Sequence, residues 1–204
     1  RAMSLVGLSH RESDTSKRSK ILDDAQQQID LFLTSAPIGD AAIGASLQKG
    51  NVLVERARMK VLQAGRPSAD KKALLAEAAP FLVQAIAAFE MTEKSVLDQL
   101  HSVDDELEKL IGKPKASETD AADAGNANDS KKKPPKKISP AESRKRSTQQ
   151  TKLKAQQEVL QGKLLQARLL VAGSLFEKSQ VLDEGSEEWK KSLEDSSAKY
   201  KDLY

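Results

Sequence analysis

The chain predicts an all-α protein of elongated antiparallel helices, and three observations carry that expectation. First, Leu82, Ile86, Phe89, Val96, Leu100, Val103, Leu107 and Leu110 step by four and three, with Glu93 as the one interruption. Second, Leu153, Leu160, Leu164, Ala167, Val171, Ser174 and Val181 repeat that step, with Gln157 and Lys178 as polar members. At about 3.6 residues per turn, each series draws one narrow apolar seam along a helix, of the kind buried against other helices. Third, aromatic residues are 3% of the chain, and hydrophobic residues at 38% barely exceed charged ones at 31%. That balance suits thin helical layers and leaves few β-branched or aromatic clusters for strands.

Taken in order, residues 1–16 are polar and weakly patterned, and read as a poorly ordered N-terminus. A first helix is expected from about Ser16 to Thr34, with Ile21, Ala25, Ile29 and Phe32 as its stripe and Leu22 and Leu33 beside it. Pro37 ends it, since the residue before a proline is pushed out of the helical region. Asp40 is the expected N-cap of a second helix that closes near Ala64, with the stripe Ile43, Leu47, Gly50, Val54, Ala57 and Val61. Its small members Gly44, Gly50 and Ala57 would admit a neighbour closely.

Gly65-Arg66-Pro67 stops the second helix, and Ser68 is expected to cap the third, which runs to about Ile111. Pro80 lies inside that third helix and predicts a kink there or a break just before it. Residues 113–137 hold Ala, Asp, Asn, Ser, Gly, Lys and Pro without a large apolar side chain, so they read as a flexible charged linker. Ser139-Pro140-Ala141-Glu142 is a capping box with proline at the first helical position, opening a fourth helix that runs to about Leu182. Ser186 caps a fifth, with Glu187 and Glu188 in its first turn. The organisation is thus helices over 17–112, a linker over 113–137, and two more helices of the same domain over 138–204. The third and fourth helices would form a long helical hairpin.

Composition narrows the function. Cysteine is absent, which removes disulfides, thiolate zinc sites and cysteine nucleophiles. No run of about 18 consecutive apolar residues exists, so no membrane-spanning segment is predicted. The helical pattern continues up to Tyr204, which suggests a fragment of a longer protein. Net charge is +3, but the imbalance is local. Lys131, Lys132, Lys133, Lys136 and Lys137, followed by Arg144, Lys145 and Arg146, form a basic segment continuing to Lys152 and Lys154. It can contact nucleic acid or an anionic membrane, or act as a nuclear localisation signal, although no aromatics interleave it to stack bases. Read plainly, it is a solvated loop running into a polar helix start.

Other chemistry is sparse. His10 and His101 are the only histidines and lack converging partners. Asp104, Asp105, Glu106 and Glu108 are near-consecutive on a helix, so their carboxylates diverge. Glycine-rich phosphate loops and Ser/His/Asp arrangements are missing. No catalytic residue, cofactor or metal site is therefore predicted, and the chain is expected not to be an enzyme. Trp189, Leu193, Tyr200 and Leu203 fall on one side of the last helix and are the expected partner-binding surface, either for another protein or for further C-terminal helices of the same chain. Self-association through that side is also expected.

Leu193, Ser196, Tyr200 and Leu203 follow a large, small, aromatic, apolar spacing, and Leu82, Ala85 and Phe89 echo it. Gln166-Ala167-Arg168-Leu169-Leu170 is followed by Ser174-Leu175-Phe176-Glu177-Lys178. On these residues the chain resembles tetratricopeptide-repeat proteins, mainly over its last 40 residues, and the helix near Arg168 is similar to those of large bacterial, envelope-associated repeat proteins. That resemblance implies solenoid packing, a concave face that binds protein segments, and a place in the bacterial envelope or periplasm. The nucleus is the alternative if the basic segment is an address. Residues and resemblance together lead to a non-catalytic protein–protein interaction or assembly scaffold. A nucleic-acid-associated adaptor and a membrane-surface module are the other readings.

Overall fold

A computed structural model describes residues 2–9, 11–35, 37, 39–111 and 140–203. The predicted linker at 113–137, the lysines Lys131, Lys132, Lys133, Lys136 and Lys137, the cap Ser139 and His10 lie outside the described residues. Six helices order the rest: α1 Ala2–Ser9, α2 Thr15–Thr34, α3 Asp40–Ala64, α4 Lys71–Ile111, α5 Pro140–Ser179 and α6 Glu187–Lys201. The described residues contain no strand, so the all-α class holds. The chain divides into two compact units: Arg1–Gln99 with Leu160–Tyr204, and Leu100–Val159.

In the first unit, α1 occupies a stretch in which the sequence pattern predicts no element. Leu5 and Val6 pack against a buried cluster of Leu22, Ala25 and Ile29 from α2 with Val52 and Met59 from α3. Ser9 is buried at the end of α1 and donates its Oγ to the Val6 carbonyl at 2.7 Å. Asp14 caps α2, accepting from the backbone N–H groups of Ser16 at 2.8 Å and Lys17 at 3.1 Å. Those two bonds, the Lys17 one first, hold its carboxyl below the ordinary carboxylate range. The buried stripe of α2 is Leu22, Ala25 and Ile29, whereas Phe32, expected to be inside, is exposed.

α3 is buried on two sides, where one stripe was predicted. Val52 and Met59 face the α2 cluster. Ile43, Leu47, Gly50, Val54 and Ala57, also buried, lie about half a turn away and face α4, because Gly50 abuts the Phe89 ring. The expected N-cap moves by one residue. Gly39 takes that place with φ of 68°, a conformation that favours glycine. Asp40 instead opens the helix and pairs with Lys163 of α5 at 2.7 Å. The cap predicted for the third helix also moves: Asp70, not Ser68, accepts from Ala73 N–H at 3.1 Å at the start of α4.

α4 stays helical through Pro80, which excludes the break, one of the two outcomes expected there. Pro80 is exposed, so its ring needs no room inside the fold, and Ala78 and Leu82 on either side are buried. The sequence reading needs one further correction. By length and composition α4 is apolar enough to cross a membrane, although only 22% of its most apolar window is buried. Its apolar residues are interleaved with few charges rather than consecutive. Ala76, Val83, Ala87 and Met91 lie exposed on the side away from Leu82 and Phe89.

Within the first unit α5 runs antiparallel to α4, and α6 folds back on α5. Ser192 donates to the Leu175 carbonyl at 2.7 Å, and Ser196 to the Ala172 carbonyl at 2.9 Å. The turn before α6 uses Gly185 at φ of 83°, and Ser186 caps the helix by accepting from Trp189 N–H at 3.1 Å. The second unit buries Leu100, Val103 and Leu107 from α4 with Leu153 from α5, and Gln157 donates to Asp104 at 2.7 Å.

Candidate functional site

The surface with most apolar exposure on α5 lies beside the predicted seam. Leu160, Ala167, Val171 and Ser174 of that seam are buried. One residue on, a second ladder of Leu165, Leu169, Ala172 and Phe176 keeps the four-three step. Ala172 is covered by α6, while Leu165, Leu169 and Phe176 are 53%, 52% and 46% exposed. Phe176 continues into a shallow groove lined by Leu193, Ser196, Ser197, Tyr200 and Lys201 of α6. The sequence reading takes its apolar seam on α5 from the first ladder, and names Leu169 and Phe176 only within the repeat-like segment. The offset series was the signal that would have found these three residues.

The four residues proposed from the last helix fall in three places. Leu193 and Tyr200 line the Phe176 groove, and Tyr200 is 37% exposed. Trp189 lines a different cleft with Lys71, Leu75, Val181 and Leu182. Leu203 follows the end of α6 and is half-buried. The innermost residues of this helix are small: Ser192 and Ser196. Their hydroxyls bond to α5 carbonyls, which lets two helix backbones approach closely.

Two charge clusters, one of them seeded by an anomaly in the seam, tie the first unit together. Glu93, the residue that interrupts the α4 ladder, accepts from Arg168 Nε of α5 at 2.7 Å and lies 3.5 Å from Lys199 Nζ of α6. Its side chain is 13% exposed. In the other cluster, Glu55 is buried and receives Arg18 of α2 and Arg58, both at 2.8 Å. Arg58 continues to Glu177 of α5 through Nε at 3.1 Å and 3.2 Å. Glu177, with Glu55 behind it, holds the Arg58 proton more firmly than usual. Each carboxylate is engaged by guanidinium groups, so the geometry describes tethers between helices.

Arg144, Lys145 and Arg146 are exposed on α5 in the second unit. His101 is exposed, and Asp105, Glu106 and Glu108 are exposed around α4. Among the described residues no cluster of His, Asp and Glu is arranged to hold a metal ion. Comparison with family models, curated proteins and solved structures finds no match.

Proposed function

We propose that this chain is a non-catalytic protein–protein interaction or assembly scaffold. One observation carries the reading: Leu165, Leu169 and Phe176 stand about half exposed on one face of α5, and Phe176 lines a groove with Leu193 and Tyr200 of α6. Large apolar side chains collected on one face normally mark an interface, because each is worth about 1.5–3 kcal/mol when taken out of water. The pairing of α5 with α6 through Ser196, and the resemblance of this segment to tetratricopeptide repeats, support helical-repeat packing as the way such a scaffold is extended.

Site-specific photocrosslinking tests it. A photoreactive side chain at Phe176 should give discrete protein adducts, absent when it is placed at Leu62, an exposed α3 position. Changing Leu165 and Leu169 to Asp should abolish the adducts. Identical smears from both positions would remove the interface. An adaptor for nucleic acid or an anionic membrane is the second reading, favoured by the exposure of Arg144, Lys145, Arg146, Lys152 and Lys154 on α5. It expects binding that weakens steeply with salt.

A further inference from the structure

The first unit contains a second concave feature, whose lining shares no residue with the Phe176 groove. A cleft of about 790 Å³ opens between the first turns of α4 and the segment joining α5 to α6. Its apolar lining is Leu75, Ala76, Ala79, Val181, Leu182 and Trp189. That volume lies in the range of sites that hold a small ligand or a short peptide.

Charge distinguishes this cleft from a packing fault. Lys71 and Lys72 line it from α4, and Asp183 and Glu184 line it from the opposite segment. All four are exposed, and among the described residues none forms an ion pair. Opposite charges thus border one slot without closing on each other. An occupant that satisfies both must itself carry both signs, separated by something apolar. The cleft also has a backbone acceptor to offer. Pro80 has no N–H, so the Ala76 carbonyl in the lining lacks its usual helical donor four residues on.

We infer that this cleft binds an extended peptide with a central apolar side chain, an acidic flank set against Lys71 and Lys72, and a basic flank set against Asp183 and Glu184. The apolar residue enters between Leu75, Ala79, Val181 and Trp189. A peptide N–H reaches the Ala76 carbonyl. The acidic and basic flanks fix the direction in which the peptide lies, since reversing it would set like charges together.

The chain supplies its own reporter, because Trp189 is the only tryptophan. Titrating the protein with the blocked peptide acetyl-Glu-Asp-Leu-Leu-Lys-Lys-amide should change Trp189 emission saturably. The same peptide with Ser for both Leu should not. Lys71→Glu with Lys72→Glu makes both walls acidic and should weaken binding about tenfold or more. Adding Asp183→Lys and Glu184→Lys restores opposite walls, and binding should return with the peptide reversed. Circular dichroism of each variant should match wild type, since all four side chains are exposed. No saturable change with wild type, or equal affinity in the double variant, overturns the proposal. So does a change in Trp189 emission with protein concentration alone, which would assign the cleft to a second copy. Crosslinking at Phe176 is indifferent to all these outcomes, so the scaffold reading stands or falls separately.

Discussion

The Phe89 ring of α4 occupies the space that a side chain at Gly50 of α3 would need. A Cβ built on Gly50 would overlap Phe89 Cε1. Phe89 is fully buried, so its ring has no solvent to swing into. Gly50→Ala gains helix propensity of about 1 kcal/mol but forces overpacking that costs about 1–3 kcal/mol. We expect net destabilisation in urea unfolding. Adding Phe89→Leu should recover part of the loss, because the ring edge is what the methyl meets. A stabilised Gly50→Ala protein would refute the close approach.

Glu93 is the second such relationship. Alone, Glu93→Leu removes the acceptor of Arg168 and the partner of Lys199. Losing a charged hydrogen bond of this kind costs about 1.5–3 kcal/mol. The double change Glu93→Leu with Arg168→Met should recover most of it, since replacing both members with apolar groups of similar size is often neutral. A double-mutant cycle by chemical denaturation measures the coupling. Additive effects would mean that Glu93 and Arg168 do not depend on each other.

Much of this was legible, and the rest was not for definite reasons. The four-three ladders placed α4 and α5 because spacing along one helix is a local property. Ser196 is the small member of its series in the sequence, and it is one of the two serines whose hydroxyls meet α5. Pattern alone could not show that Val52 and Met59 face a second neighbour, because a stripe reports one face and α3 uses two. Caps moved by a residue or two: at Gly39 because a glycine at positive φ makes the turn, and at Asp70 because Ser68 and Asp70 compete for the same role. Glu93 read as a flaw in the seam, since its partners Arg168 and Lys199 lie on other helices. Leu169 and Phe176 enter the sequence reading only through the resemblance to repeat helices and not as an exposed row, because a ladder one residue out of step looks like the flank of the first.

Ser196 permits a sharper test of the α5–α6 contact. Ser196→Ala removes one hydroxyl donor while the Ala172 carbonyl keeps its helical bond, so the cost should be near the low end of about 0.5–1.5 kcal/mol. Ser196→Leu puts a large side chain where two backbones approach and should cost more. Amide exchange in α6 should rise for the leucine variant first. Equal protection in both would show that α6 does not rest on α5 at this residue.

Asp14 adds a pH signature to α2. Its folded pKa lies below the ordinary value of 3.8 because the N–H groups of Lys17 and Ser16 bond to the charged form. A depressed carboxyl stabilises the fold above the unfolded pKa, and the contribution is lost as pH falls through the folded value. The Ser16 and Lys17 amide shifts should therefore titrate together below 3.8. In Asp14→Asn, which still accepts but does not ionise, they should not move.

The ladder on α5 treats Leu160 and Leu164 as equals, and the structure separates them. Leu160 is 1% exposed, while Leu164 is half-buried. A buried Leu→Ala change costs about 2–5 kcal/mol through lost transfer energy and the cavity left behind. Leu160→Ala should fall in that range, and Leu164→Ala should cost distinctly less, because water can reach the space it leaves. Gln157→Ala, on the same side of α5 in the second unit, breaks an exposed bond to Asp104 and should change stability by no more than about 0.5 kcal/mol. Thermal and urea unfolding of the three variants gives the order. If Leu164→Ala proves as costly as Leu160→Ala, α5 is covered on a side that the structure leaves half open, and the exposed row through Leu165 and Leu169 would have to be covered too.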